Sequence, residues 1–164
     1  MDELQLLSGL LASPEEESLA LLEQMAPAFP WLEPAVEELR GMPLDRWQGE
    51  HTRLFINGIP KTVCPPFESA WRQKSMGGFA ESELVELYRR AGLAADDAPP
   101  DYLGTMLECA AFLNLASGET QKALRDELWK KHLEVWVPEF GAILERESEL
   151  GLYRVLGARL AGLF

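Results

Sequence analysis

Long apolar runs are missing from this 164-residue chain. Nothing in it approaches the ~18 uninterrupted apolar residues of a membrane span, so no stable membrane insertion is expected. The start, Met1-Asp2-Glu3, lacks the basic stretch and small-residue cleavage site of a secretory signal, and the expected location is the cytoplasm. Cysteine is scarce. Cys64 and Cys109 are far apart and out of metal-ligand register, and reduced thiols suit a cytosolic protein better than a disulfide. Histidine is scarcer for a metal: zinc would need Cys64, Cys109, His51 and His132 to converge from four distant places. Positive charge is short as well. Fifteen Lys and Arg face 27 Asp and Glu, a net charge of −12, which repels the phosphates of nucleic acid and favours a basic or apolar-basic partner. The chain also lacks a glycine-rich phosphate loop, a His-Asp pair, a Glu-x-x-Glu-Asp run and a nucleophile at triad spacing. An enzyme is therefore not expected, and neither is a metal or cofactor. A metal-dependent all-α nucleotide hydrolase built on Asp101 and Glu108 is the weaker alternative, and a helical scaffold or regulatory protein-binding module the stronger one.

What is present is the 3.6-residue apolar period, with no convincing alternation of period two. Leu4, Leu7, Leu10 and Leu11 form the first apolar face. Ser13-Pro14-Glu15-Glu16 has the form of an N-cap, a first-turn proline and a capping glutamate, opening a helix with Leu19, Leu22 and Met25 inward. Further helices are expected over 31–40, 43–55, 68–74, 81–91, 101–116, 120–133 and 138–149. A last helix runs through Leu152, Leu156, Leu160 and Leu163. About nine or ten helices imply an all-α, single-domain bundle over residues 1–164. The polar, proline-containing segment 94–100 is a candidate hinge, through which two copies could exchange elements and form a homodimer.

The most distinctive stretch is 51–69, where a helix end and a glycine stop lead into Pro65-Pro66 and then Phe67-Glu68-Ser69. Two prolines remove two backbone donors and fix two φ angles, so this corner holds shape. On the preceding helix Trp47, His51, Leu54 and Phe55 share one face, which reads as a core seam. Arg46, Glu50 and Arg53 lie opposite, at spacings suited to surface ion pairs. Glu68, at a helix start, favours the macrodipole and could also receive an arginine from a partner. Further on, Asp101, Gly104, Thr105 and Glu108 fall on one stripe. Gly104 lets another backbone approach, giving an acidic strip over a glycine floor. Five tryptophans exceed what the core needs, so one or two are expected at a groove. Trp136 and Phe140, around the break at Pro138, read as core packing.

The stretch EHTRLFING followed by PPFES closely resembles the signature of the TorD/DmsD/NarJ-type chaperones of molybdoenzymes. PPDYLGTMLE is similar to the family's second motif. His132, Leu133, Trp136, Pro138 and Phe140 match its third, His-Leu-x-x-Trp-x-Pro-x-Phe. The three motifs span roughly Glu50 to Phe140 in the family's order. Two departures are visible: His51 stands where an aromatic ring is usual, and Tyr102 replaces a histidine beside Asp101, so this position cannot become charged near neutral pH. The resemblance implies an all-helical cytoplasmic chaperone that binds the N-terminal, twin-arginine-type signal segment of a molybdopterin-dependent oxidoreductase. Its partner is then the apo catalytic subunit, held until its cofactor is inserted, before export or membrane attachment. The peptide-binding candidates are Trp47, His51, Leu54, Phe55, Pro65, Pro66, Glu68, Ser69, Asp101, Tyr102, Gly104, Glu108 and Trp136. Among them Glu68, Asp101 and Glu108 would meet arginines, while Leu54, Phe55 and Trp136 line or support the apolar pocket.

Overall fold

The structure, a computed structural model, describes residues 1–72, 79–94 and 98–164. The expected end of one helix at Lys74 to Gly78 and the middle of the expected hinge, 95–97, lie outside the described residues. Among those described there is no strand, only an isolated antiparallel bridge between Phe67 and Tyr102. The described residues form ten α-helices: α1 Glu3–Leu10, α2 Ser18–Met25, α3 Glu33–Arg40, α4 Leu44–Phe55, α5 Glu68–Arg72, α6 Phe79–Arg90, α7 Leu103–Leu115, α8 Glu119–Leu128, α9 Val137–Glu147 and α10 Gly151–Ala161. The all-α expectation holds. Two compact units share the chain, one of Met1–Ala12 with Pro66–Val137, the other of Ser13–Pro65 with Pro138–Phe164.

In the first unit α7 is apolar nearly all round. Leu103, Met106, Leu107, Cys109, Ala110, Ala111 and Leu113 are buried, as a helix surrounded by others requires. Helix α1 packs mainly on α7 through Leu4, Leu6, Leu7 and Leu10. Its start is fixed by a capping box, in which Asp2 accepts from Leu4 N–H and Gln5 reaches back to Asp2 N–H. Helix α6 stops at Gly92, whose φ of +78° suits glycine, while Leu93 N–H bonds back to Tyr88 O at 2.8 Å. The long helix expected over 120–133 is two pieces. After α8 the backbone widens into a π turn, Trp129–Leu133, closed by Glu134 N–H on Trp129 O at 2.8 Å. That one extra residue per turn changes where the following side chains point.

In the second unit the aromatic face of α4 is core, as its spacing predicts. Trp47 Nε1–H donates to the Tyr153 hydroxyl at 3.0 Å. The His51 ring meets Phe55 edge-on at 5.1 Å, and Phe55 lies 5.4 Å from Tyr153 and 6.4 Å from Phe140. Two expectations need correction. Helix α2 begins at Ser18 rather than near Pro14, because the Ser18 hydroxyl accepts Glu15 N–H at 2.8 Å and residues 15–18 close a separate turn. Glu50, expected as a surface charge, is buried. One of its oxygens accepts Arg53 Nε–H at 2.6 Å and the other the Glu149 N–H at 2.5 Å, tying α4 to the loop between α9 and α10.

Helices α9 and α10 meet at glycines. A Cβ on Gly157 would lie 2.5 Å from Glu145 N and from Gly141 O, and one on Gly141 would lie 2.6 Å from Gly157 O. Gly9 in α1, by contrast, has nothing within 4 Å of its Cβ position. Gly157→Ala should therefore cost about 1–3 kcal/mol through overpacking, whereas Gly9→Ala should gain about 0.5–1 kcal/mol from helix propensity. Urea denaturation of both variants checks this, and equal effects would contradict the close crossing.

Candidate functional site

The sequence-predicted residues divide between the two units. Trp47, His51, Leu54, Phe55 and Pro65 belong to the second, where the first four are buried in the aromatic core. Pro66, Glu68, Ser69, Asp101, Tyr102, Gly104, Glu108 and Trp136 belong to the first. There the three motifs converge on one buried polar knot.

The knot starts from backbone. Pro66 has no N–H, and its carbonyl accepts Leu103 N–H at 2.9 Å. Glu68 N–H donates to Asp101 O at 3.1 Å, so residues 66–68 and 101–103 pair as a two-rung ladder, with the Phe67 and Tyr102 rings 5.7 Å apart beside it. Asp101 then caps α5, where its Oδ2 accepts Ser69 N–H at 2.9 Å, a donor left over at a helix start. Gly104 has its close approach, but from its own chain. A Cβ there would fall 2.4 Å from the Tyr102 ring, and the Ser8 hydroxyl donates to Gly104 O at 3.0 Å. The floor read from the sequence is thus covered by Tyr102.

Glu68 is fully buried. Both its oxygens accept from His132 Nδ1–H, at 3.0 and 3.1 Å, and Oε1 also accepts from Arg72 Nη1–H. The arginine that pairs with Glu68 therefore comes from its own helix. The π turn presents His132 to Glu68, with Glu83 at 3.6 Å from the other ring nitrogen, and Trp136 stacks on Trp71 with ring centres 6.3 Å apart. A buried charge is stable only when paired and hydrogen-bonded in this way.

Asp101 is also fully buried, and its Oδ1 receives no N–H donor among the described residues. The Glu81 carboxyl is hydrogen-bonded to the Asp101 side chain, and its pKa is raised above the ordinary carboxylate range, chiefly by desolvation and then by the Asp101 charge. Two carboxyls in contact cannot both ionise freely, so a proton on Glu81 satisfies the pair. Tyr88 closes this side through its hydroxyl on Pro100 O at 2.7 Å. Burial pushes the Cys64 and Cys109 thiols up to about 12, which leaves both protonated and poor as nucleophiles or ligands.

One carboxylate of the predicted set is open. Glu108 is exposed on α7, where the Ser8 hydroxyl lies 3.3 Å from its Oε1. It stands on the rim of a slot of about 150 Å³ lined by Tyr88, Leu93, Ala94, Thr105, Cys109 and Phe112. Phe112 is 45% exposed and Leu115 78%, and with Thr105 and Glu108 they continue one stripe of α7. Sequence reasoning missed Phe112, Leu115 and Leu93. The offsets Glu108, Phe112 and Leu115 could have found the first two, since the exposed apolar positions extend the acidic strip.

The profile of the family described as nitrate reductase delta subunit matches residues 9–142, and the chain belongs to that family. The family read from the three motifs is thus the right one. The chain is similar to the Chaperone protein YcdY of Escherichia coli (strain K12), at 26% identity over 107 residues, 65% of this chain and 55% of that protein. The chain thus matches just over half the length of this relative. Its fold matches a crystal structure from Archaeoglobus fulgidus, provisionally described as a redox enzyme maturation protein. That match has a TM-score of 0.68 and 24% identity, and covers 98% of this chain and 91% of that one.

Two outcomes follow from the knot. Glu68→Ala strands His132 and Arg72 and should cost about 3 kcal/mol or more in urea denaturation, whereas Glu108→Ala should stay within about 0.5 kcal/mol of the parent. A raised folded-state pKa means that the folded state holds the Glu81 proton more tightly. The associated stability is complete below the unfolded value of about 4.3 and is lost as pH rises through the folded value. Glu81→Gln should therefore melt above the parent at pH 7, and the difference should vanish as pH falls toward the unfolded value. A difference that does not change with pH would remove Glu81 from the pair.

Proposed function

We propose that this protein is a cytoplasmic chaperone for a molybdopterin-dependent oxidoreductase. It binds the N-terminal, twin-arginine-type segment of the apo catalytic subunit while the cofactor is inserted, before export or membrane attachment. Membership of the family and the similarity to a chaperone support the class. No helix among the described residues is long and apolar enough to cross a membrane.

The observation that carries the peptide reading is the α7 stripe. It offers one open carboxylate, Glu108, on the rim of an apolar slot, followed by the exposed Phe112 and Leu115. A segment with paired arginines and then an apolar run has the matching order of chemistry. An arginine makes a charge-assisted contact with Glu108, the slot takes an apolar side chain, and the rest lies along Phe112 and Leu115 in the manner of groove recognition. Glu68 and Asp101 act from beneath by fixing the start of α7, and Tyr102 packs over Gly104 beside the carboxylate. No covalent chemistry is involved.

Calorimetric titration with a synthetic peptide of paired arginines followed by an apolar run tests this. Glu108→Lys and Phe112→Asp should each weaken binding at least about tenfold, or 1.4 kcal/mol. A peptide with both arginines changed to glutamine should bind the parent and Glu108→Lys proteins equally weakly. Undiminished affinity in both protein variants would move the peptide site off α7.

A further inference from the structure

Residues 56–63 form an apolar knuckle in the second unit. Ile56 is 61% and Ile59 98% exposed, an unfavourable display of apolar surface to water. The knuckle is nevertheless firmly held. Asn57 N–H donates to Thr52 O at 2.8 Å, Cys64 N–H to Leu54 O at 2.7 Å, and the Thr62 hydroxyl to Ile56 O at 3.1 Å. Gly58 sits where a Cβ would lie 2.5 Å from Lys61 O and 2.9 Å from Arg53 O, so the turn has room only for glycine. Lys61 is exposed two residues from Ile59. Arg53, by contrast, is committed to Glu50 and to Glu147 O.

A rigid apolar tip carrying a cation calls for an apolar socket with an anion on its rim, and the chain itself has one. The Glu108 slot, lined by Tyr88, Leu93, Cys109 and Phe112, has a volume of about 150 Å³, and cavities of that size admit benzene, which is bulkier than an isoleucine side chain. We propose that this chain self-associates by seating the Ile59 knuckle of one copy in the Glu108 slot of another, with Lys61 of the first against Glu108 of the second. Knuckle and slot are different patches, so the contact either closes as a reciprocal dimer or continues from copy to copy. The net charge of −12 per chain opposes any approach of two copies, which keeps the association weak and reversible. Its consequence rests on the peptide reading above: a slot filled by a neighbour's knuckle is closed to the signal segment, and a peptide would dissolve the assembly.

Sedimentation velocity of the full chain at physiological ionic strength, up to about millimolar protein, tests the contact. The expected result is concentration-dependent association, weakened at least tenfold by Ile59→Asp and by Glu108→Lys. The double variant Lys61→Glu with Glu108→Lys should regain it, because the swapped charges again face each other. All of these positions are exposed, and thermal melts matching the parent would confirm intact folds. A chain that stays monomeric throughout overturns the proposal. So does association indifferent to both single variants, or a double variant no better than Glu108→Lys alone. Adding the paired-arginine peptide separates the two readings. Association that follows the charge swap but ignores the peptide would leave the knuckle contact standing and sink the peptide site.

Discussion

The first unit depends on a buried carboxylate. Glu68 is removed from water entirely, and an ion in that position stays charged only if its surroundings replace the lost hydration. The replacement comes from His132, brought in from the distant π turn, and from Arg72, one turn along α5 itself. The first ties the π turn to α5. The π turn aims His132, the Asp101 side chain caps α5, and the ladder between 66–68 and 101–103 sets where α7 begins. Remove the carboxylate and the His132 and Arg72 contacts are lost together, which unties the π turn from α5. The prolines fit the same logic, because a ring locks φ and leaves a carbonyl free to receive Leu103.

Much of the fold was legible because helices advertise themselves locally. Apolar spacing, Gly41 after α3, Pro43 before α4 and Gly92 after α6 mark ends that the structure keeps. Where the sequence misled, a side chain from elsewhere decided. The Ser13-Pro14 signal yields to the Ser18 hydroxyl on Glu15 N–H. The apparent surface acid Glu50 turns inward because Glu149 offers a backbone donor 99 residues away. The continuous period over 120–133 hides a π turn, since apolar spacing barely registers one extra residue.

The candidate site was half legible for a related reason. Spacing tells which residues share a face, and it placed Asp101, Gly104, Thr105 and Glu108 together on α7. It cannot tell whether something lies on that face. Tyr102 lies over Gly104, Ser69 N–H and Glu81 engage Asp101, and of the two acids Glu108 is left facing solvent, with Thr105 half-buried beside it. The acids that define the motifs by eye are thus the ones withdrawn from the surface. Their conspicuousness in sequence reflects how few residue types can satisfy the knot, and the recognition surface proposed beside it carries plainer residues such as Phe112 and Leu115.

This division of labour suits the proposed chaperone better than a strip of open carboxylates would. Three exposed acids gripping two arginines would add several charge-assisted contacts in parallel and would slow the release of a client. In that proposal, one open carboxylate with a shallow apolar slot gives a modest, salt-sensitive affinity, because an exposed ion pair contributes about 0–1 kcal/mol and a single buried aliphatic group about 1.5–3 kcal/mol. The net charge of −12 meanwhile attracts basic segments from beyond contact range and speeds encounter more than it strengthens the complex. Fast capture with weak retention is what a transient hold on an unfinished enzyme requires. The knot beneath α7 would let so small a proposed contact surface be specific, since it fixes the spacing of the carboxylate and the slot.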